Sequence, residues 1–133
     1  MDKVVETHCG NQSITFEAPD LLVVTLRGEV TRQEIRDLHA ARDALTAGLE
    51  QVLLLCCLRD LERVSMAAGR GLAEKADPRV RAIALVNASY RTQILAQMAI
   101  RSAQLFTRLH TRLHFAETEE SARAWLAQVR TTT

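Results

Sequence analysis

The sequence predicts an α/β fold with a single mixed, mostly parallel sheet and the element order β-β-α-β-α-β-α-β-α. Residues 13–18 alternate polar with apolar, and the apolar residues 21–26 follow a Pro-Asp break, which predicts a hairpin. Residues 52–58 are continuously apolar, as in a central strand covered on both faces. Strand-like and helix-like segments then alternate, and right-handed crossovers place such strands parallel.

The first two helices are predicted from local signals. Thr31 and Glu34 have the capping-box spacing, and apolar residues then recur at helical spacing up to a stop at Gly48. Residues 59–63 are polar and are predicted to be the loop that leaves the central strand. A short helix is predicted over residues 65–76, followed by a strand over 80–86.

A long helix capped by Ser89 comes next. Five apolar residues and one serine share one face, which we predict packs on the core: Ile94, Leu95, Met98, Ser102, Leu105 and Phe106. Ile100 falls off that face, which hints at a groove, a dimer seam or a bilayer contact. Residues 112–116 form the last predicted strand, and Thr118 opens a final helix with the apolar stripe Ala122, Trp125, Leu126 and Val129.

Length and composition predict one domain over residues 1–133, with flexible termini at 1–10 and 131–133. The chain has 47% hydrophobic and 25% charged residues, as globular proteins do. No apolar run approaches the ~18 residues that span a bilayer, and no signal peptide is visible. Three cysteines, two of them adjacent, indicate free thiols in a reducing cytoplasm.

Charge is unevenly distributed along the chain. Residues 1–78 carry a formal −4 and residues 79–133 carry +5, for a net charge of +1. Aromatic residues are 4% of the chain and no recognised motif stands out, so a nucleic-acid partner is not expected. Arg101, Arg108 and Arg112 follow one another on and just beyond the long helix, and could dock an acidic partner.

No constellation of residues predicts catalysis. The sequence lacks a phosphate-binding glycine loop, a Gly-x-Ser-x-Gly elbow and a Cys-x-x-Cys pair. His110 and His114 have zinc-like spacing, but a helix end and a strand are predicted between them. Cys56 and Cys57 are predicted to be buried, where a thiol is a poor nucleophile. We therefore expect no enzyme activity, no catalytic residues, no metal and no cofactor.

Ligands of open α/β sheets bind outside the carboxyl ends of the strands. Two predicted strand ends carry suitable polar side chains. The candidate ligand-binding residues are Arg59, Asp60, Asn87, Ser89, Tyr90 and Arg91. The alternative is that these residues only cap loops and start the next helix.

Three segments carry a resemblance to a known family: residues 52–65, residues 80–90, and residues 115–126 with their acidic helix start and Ala-x-Ala-Trp-Leu. Together with the leading hairpin they resemble the STAS fold of anti-sigma-factor antagonists. The closer likeness is to the SpoIIAA-like family, which is related in fold to CRAL-TRIO lipid-binding domains. The resemblance implies a regulatory domain.

The chain departs from phosphorylated STAS antagonists at one motif. Their Asp-Ser-Ser-Gly is matched here by Met66, Ala67, Ala68 and Gly69, so hydroxyl groups are missing at the acceptor positions. Ser65 lies just before and is interpreted as a helix cap. The resemblance therefore implies a STAS-type domain without the usual phospho-acceptor serine.

Two hypotheses about function follow. The first is a non-catalytic regulatory or protein-interaction domain, binding another protein or a second copy of itself as a homodimer. The alternative, which the CRAL-TRIO kinship implies, is a carrier or sensor of an apolar small molecule or lipid, peripheral to the membrane but with no integral membrane segment.

Overall fold

The computed structural model describes residues 4–68, 77–106 and 110–132. Its strands are β1 (Val4–Cys9), β2 (Gln12–Glu17), β3 (Leu21–Val30), β4 (Val52–Val64), β5 (Val80–Val86) and β6 (Arg112–Ala116). Its helices are α1 (Arg32–Leu45), α2 (Tyr90–Phe106) and α3 (Glu119–Thr131). Residues 66–68 are also helical, and the rest of the helix predicted over 65–76 lies outside the described residues.

The six strands form one sheet in the order β1-β2-β3-β4-β5-β6. The pairs β1–β2 and β2–β3 are antiparallel, whereas β3–β4, β4–β5 and β5–β6 are parallel. The predicted mixed, mostly parallel α/β sheet is therefore confirmed. The predicted hairpin is β2–β3, with Ser13 paired to Thr25, and the apolar run that begins at Val52 is an interior strand.

The prediction of a flexible N-terminus is wrong for residues 4–9. These residues form β1, which pairs along its whole length with β2. Gly10 and Asn11 make the connecting turn, in which Gly10 has a φ of +64° that favours glycine. Cys9 is buried against the core, so this edge strand is anchored by packing as well as by its ladder. At the other end, Thr131 is the last residue of α3 rather than part of a loose tail.

Helices cover both faces of the sheet. One face packs against α1 and the inner side of α2, through residues that include Ile35, Leu38 and Ala96. The opposite face packs against α3, through Ala122 and Leu126. Successive side chains of β4 enter opposite cores, so residues 52–58 have no polar side.

Strand β4 is longer than predicted. Residues 59–63, predicted to be a loop, continue the strand and pair with the end of β3, so that Asp60 lies opposite Arg27 and Val64 opposite Val30. This two-stranded extension runs past the end of β5, where Val86 is already opposite Cys57. Its side chains are mostly open to solvent, so the apolar pattern that marks a buried strand is absent there.

Two bidentate ion pairs fasten α3 to the β2–β3 hairpin. The Arg123 guanidinium donates to both Glu17 carboxylate oxygens at 2.9 and 2.8 Å. About two turns further along the helix, Arg130 donates to both oxygens of Asp20. On the other side of the molecule, Arg79 binds the carboxylate of Asp77 and the Thr46 carbonyl oxygen, which ties the end of α1 to the start of β5.

Stability is expected to fall in acid because of these pairs. The hydrogen bond from Arg123 lowers the pKa of Glu17. Burial raises the pKa of Asp77, but hydrogen bonds from Arg79 outweigh it and the pKa is lowered overall. A carboxyl whose pKa is lower when folded stabilises the fold above its unfolded pKa and loses that contribution as the pH falls. The free energy of unfolding in urea should therefore be level above about pH 5 and decline below about pH 4.

The variant Glu17→Gln serves as the control for this decline. It lacks one of the two carboxyls, so its unfolding free energy should depend less steeply on pH than that of the unmodified protein. A decline of equal steepness in both proteins would show that the Arg123 pair contributes nothing to it.

Candidate functional site

An open cleft lies at the carboxyl ends of β5 and β6, beside residues 58–61 of β4, and has a volume of about 570 Å³. The first turn of α2 forms one wall. The lining residues are Leu58, Arg59, Leu61, Asn87, Ala88, Ser89, Thr92, Gln93, Phe115, Ala116 and Glu117. The cleft lies where the rule for open α/β sheets predicts a ligand site.

Two backbone irregularities shape this cleft. Thr25 pairs with Cys57, but Arg27 pairs with Asp60, so β4 has one residue more than β3 between these pairs, a β-bulge at residues 58–59. Bulges re-aim side chains, and here Leu58 and Arg59 both line the cleft. Asn87, immediately after β5, has a φ of +59°, the left-handed conformation that asparagine tolerates better than most residues.

The wall formed by α2 is fixed by its capping. The Ser89 hydroxyl accepts a hydrogen bond from the Thr92 amide at 3.2 Å, which confirms the predicted cap. Gln93 turns back and donates to the carbonyl oxygen of Ala88 at 3.2 Å. The backbone N–H of Asn87 donates to the carbonyl oxygen of Ala116, and this hydrogen bond joins the ends of β5 and β6.

The structure brings together only part of the predicted ligand set. Arg59, Asn87 and Ser89 line the cleft. Asp60, Tyr90 and Arg91 are exposed and do not line it. Asp60 lies within β4 rather than in a loop, next to the bulge. Glu117 and Phe115 were missed by the sequence analysis, although the strand-end rule applied to β6 would have indicated them.

Helix α2 packs with the opposite face from the one predicted. The described large apolar side chains of the predicted core stripe are exposed, Met98 at 61% and Leu105 at 81%. The inner side carries small residues instead, with Ala103 buried and Ala96 packed against the core. Ile100, predicted to lie off the core face, is half-buried. We call the exposed set the outer stripe: Tyr90, Ile94, Leu95, Met98 and Leu105.

Arg101 and Arg112, two of the three arginines predicted to dock a partner, do not share a face. Arg101 is exposed on α2, whereas Arg112 lies over the Trp125 ring at 5.5 Å, on the side of the sheet that α3 covers. Arg108 lies outside the described residues. The prediction failed for Arg112 because this residue begins β6 and its side chain lies on the face of the sheet that α3 covers. Arg112 and His114 both stack on Trp125, since residues two apart on a strand share a face.

The two adjacent cysteines point to opposite faces of β4. Cys56 belongs to the core beneath α1 and Cys57 to the core beneath α3. Burial raises the pKa of Cys56 to about 12. Burial also raises the pKa of Cys57, and so does the Glu119 carboxylate, whose Oε1 accepts a hydrogen bond from the thiol at 3.7 Å. Both groups are thiols at neutral pH, a protonation state that does not suit a nucleophile.

Alkylation should report this protection. In the native protein at neutral pH, iodoacetamide is expected to modify Cys56 and Cys57 on the order of tenfold more slowly than in urea, because the thiolate is the reactive form. Peptide mass spectrometry over time measures the rate at each position. Native alkylation of Cys57 at the rate seen in urea would contradict the assigned hydrogen bond to Glu119.

Ser65 is a helix cap, as predicted. Its hydroxyl accepts a hydrogen bond from the Ala68 amide at 3.0 Å. Ala68 is fully buried, so the position that matches an acceptor serine contributes to packing. Among the described residues, no three His, Cys, Asp or Glu side chains gather as a metal site would require. None of the described helices is long and apolar enough to cross a bilayer.

Comparison with known proteins identifies the class of this six-stranded domain. The SpoIIAA-like family model matches residues 21–127. The chain therefore belongs to the SpoIIAA-like family, and the resemblance seen in the sequence is confirmed. No curated protein is detectably similar to it.

A solved structure agrees on the fold. An uncharacterized protein of the DUF3478 family with a SpoIIAA-like fold, from Shewanella loihica PV-4, is 19% identical, with 95% of each chain covered and a TM-score of 0.62. The anti-sigma factor antagonist SpoIIAA in its unphosphorylated form is 13% identical, with 98% of this chain and 99% of that chain covered and a TM-score of 0.48. At 19% identity, the likeness to the Shewanella loihica protein shows the fold alone.

Proposed function

We propose that the protein is a non-catalytic interaction domain that docks a partner protein on the outer stripe of α2. The observation that carries this proposal is the solvent-facing position of Ile94, Met98 and Leu105. These residues follow one another at intervals of four and seven, so they form a continuous row along the helix. Clustered exposed apolar side chains of this kind mark protein or membrane contacts.

The charge of α2 favours a protein over a bilayer as the occupant. Arg101 lies within the stripe, three residues after Met98 and four before Leu105, and α2 contains no acidic residue. If the stripe lay on a membrane, the Arg101 guanidinium would have to reach past the neighbouring apolar side chains to the headgroups. A protein groove can place a carboxylate opposite it and keep the pair hydrogen-bonded. We therefore expect an apolar groove with an acidic group as the partner surface.

A regulatory role, which the family resemblance implies, would then operate by docking rather than by phosphorylation at the family's acceptor position. Ala67 and Ala68 have no hydroxyl there, and the Ser65 hydroxyl is engaged as a cap. The raised pKa values of the β4 thiols support the non-catalytic part of the proposal.

The alternative is a carrier or sensor of an apolar molecule. Its supporting observation is the apolar floor of the cleft, formed by Leu58, Leu61 and Phe115. The cleft is open and ringed by polar side chains, whereas carriers of lipids enclose their ligand in a largely apolar cavity. The cleft therefore supports this alternative less well than the outer stripe supports docking.

Site-specific photo-cross-linking tests the proposal. A benzophenone amino acid at position 98 in the full chain, expressed in its native cells, should link to a defined partner protein. The same residue at position 36, an exposed site on α1, should not give that product. Binding of the purified partner should then weaken at least tenfold on Arg101→Glu, the change expected from loss of one charged hydrogen bond.

Two outcomes would overturn the proposal. One is equal cross-linking from positions 98 and 36, which would mean nonspecific contact. The other is the absence of any protein product together with sedimentation of the purified chain with anionic vesicles, which would assign the outer stripe to a membrane. Cross-linking of the chain only to itself would identify the partner as a second copy and would support docking.

A further inference from the structure

Strand register places two opposite charges on either side of Asn87. Val86 pairs with Cys57 of β4 on one side and with Ala116 of β6 on the other. Arg59 lies two residues after Cys57, at the bulge in β4, whereas Glu117 comes directly after Ala116 and Asn87 directly after Val86. Since neighbouring strands are about 4.8 Å apart, the backbones of Arg59 and Glu117 lie roughly 10 Å apart across the cleft.

Neither charge is neutralised by a neighbour. Within the described part of the chain, Arg59 and Glu117 make no ion pair and no side-chain hydrogen bond. The arginines of α3 behave differently, because Arg123 and Arg130 each hold a carboxylate through two hydrogen bonds. Two unpaired and opposite charges therefore face the same cleft from its two sides.

The space between the charges has both an apolar and a polar part. Leu58, Leu61 and Phe115 provide apolar surface. Asn87 follows β5, the strand between those that carry the two charges, and provides a side-chain amide. An amide both donates and accepts, so Asn87 can bond to an anion and a cation at once. A volume of about 570 Å³ is in the range of small-molecule sites.

We propose that the cleft binds a small zwitterion of the α-amino-acid class with an apolar side chain. The Arg59 guanidinium would receive the carboxylate in the planar, two-bond geometry that arginine favours. Glu117 would receive the ammonium group, and the apolar side chain would rest on Leu58, Leu61 and Phe115. This inference goes beyond the docking function and rests on different residues.

Other ligand classes fit this arrangement less well. A phosphorylated ligand carries two or more negative charges, and it would meet one arginine together with the repulsion of Glu117. An uncharged apolar ligand would desolvate Arg59 and Glu117 and leave both unpaired, which is costly. Only a ligand with one charge of each sign satisfies both ends of the cleft.

Titration of the ¹⁵N-labelled chain by NMR tests the proposal with leucine and three relatives as probes. Two of them, 4-methylpentanoic acid and 3-methylbutylamine, keep the apolar side chain but lack one charge each. Glycine keeps both charges and lacks the side chain. Leucine should shift the amide signals of Asn87 and Gln93. It should bind about tenfold more tightly than either singly charged analogue, since one charged hydrogen bond is worth about that factor, and about tenfold more tightly than glycine, which has no apolar side chain to bury.

Variants then assign the two ends. Arg59→Gln should reduce leucine affinity to that of the amine, and Glu117→Gln should reduce it to that of the acid. Both positions are exposed, so the fold is retained. Arg91→Gln is the matched control, because Arg91 is an exposed arginine outside the cleft, and it should leave affinity unchanged.

The proposal is wrong if leucine shifts no cleft signal at millimolar concentration, or if either singly charged analogue binds as well as leucine. Equal affinity for glycine and leucine would overturn the role of the apolar floor. Partner docking at position 98 is measured separately by cross-linking, so failure of one proposal leaves the other standing.

Discussion

Replacing Leu55 by alanine is expected to lower the free energy of unfolding by about 2–5 kcal/mol. Leu55 has no exposed surface and lies on an interior strand, facing the core beneath α3. The substitution removes buried methyl groups and leaves a cavity that strands fixed on both sides cannot easily close. Chemical denaturation in urea, read by circular dichroism, measures the loss.

The matched control is Leu105→Ala, the same substitution on the outer stripe. Leu105 is 81% exposed, so its truncation should change the free energy of unfolding by less than about 0.5 kcal/mol. Similar losses for the two variants would contradict the account, because they would mean that the outer stripe is packed within the free chain.

Replacing Gln12 by alanine is expected to lower the free energy of unfolding by roughly 2–3 kcal/mol. Gln12 is fully buried, and its side chain makes the two hydrogen bonds to the Arg27 backbone that a neighbouring strand would otherwise make. Its Oε1 accepts from the Arg27 amide at 2.6 Å, and its Nε2 donates to the Arg27 carbonyl oxygen at 3.0 Å. Removing the amide leaves both backbone groups without these partners.

The same side chain also joins the hairpin to α1. Gln12 Nε2 donates to Glu34 Oε2 at 3.2 Å, and that oxygen also accepts from the Asn11 amide at 3.0 Å. Asn11→Ala keeps this backbone bond and alters only an exposed side chain in the same turn, so it should be nearly neutral. Equal destabilisation by the two variants would show that the turn, rather than the buried amide, is responsible.

The fold was largely predictable because its strongest signals are local, such as helix caps, or are simple patterns of apolar and polar residues. Residues 52–58 are apolar at every position, which only a strand covered on both faces requires, and β4 is that strand. Helix starts were predictable for the same reason. The capping box of Thr31 and Glu34 forms as expected, and Thr118 caps α3 through the amide of Ser121.

The orientation of α2 was not predictable from periodicity. The helix has two apolar sides, one of large residues and one of alanines, and a hydrophobic pattern gives more weight to the large ones. In the structure the helix turns the side with Ala96 and Ala103 inward. The spacing of residues alone does not distinguish an apolar stripe that covers the core from one that is exposed.

The cleft was predictable only in its location. The strand-end rule indicated Arg59, Asn87 and Ser89, and the structure places all three in its lining. The contribution of Arg59 depends on a β-bulge, and that of Glu117 depends on the register between β5 and β6. Both are properties of strand pairing, which a single sequence does not specify.

Hydroxyl-radical footprinting of two methionines tests the central claim most directly. Met98 lies on the outer stripe and Met66 lies elsewhere on the surface, with exposures of 61% and 79%. In the purified protein both should be oxidised readily. Native extract scavenges radicals and slows both reactions, so the ratio of Met98 to Met66 oxidation is compared. The proposal predicts that this ratio falls severalfold in extract. The same ratio in the two samples would contradict the proposal that α2 is a docking surface.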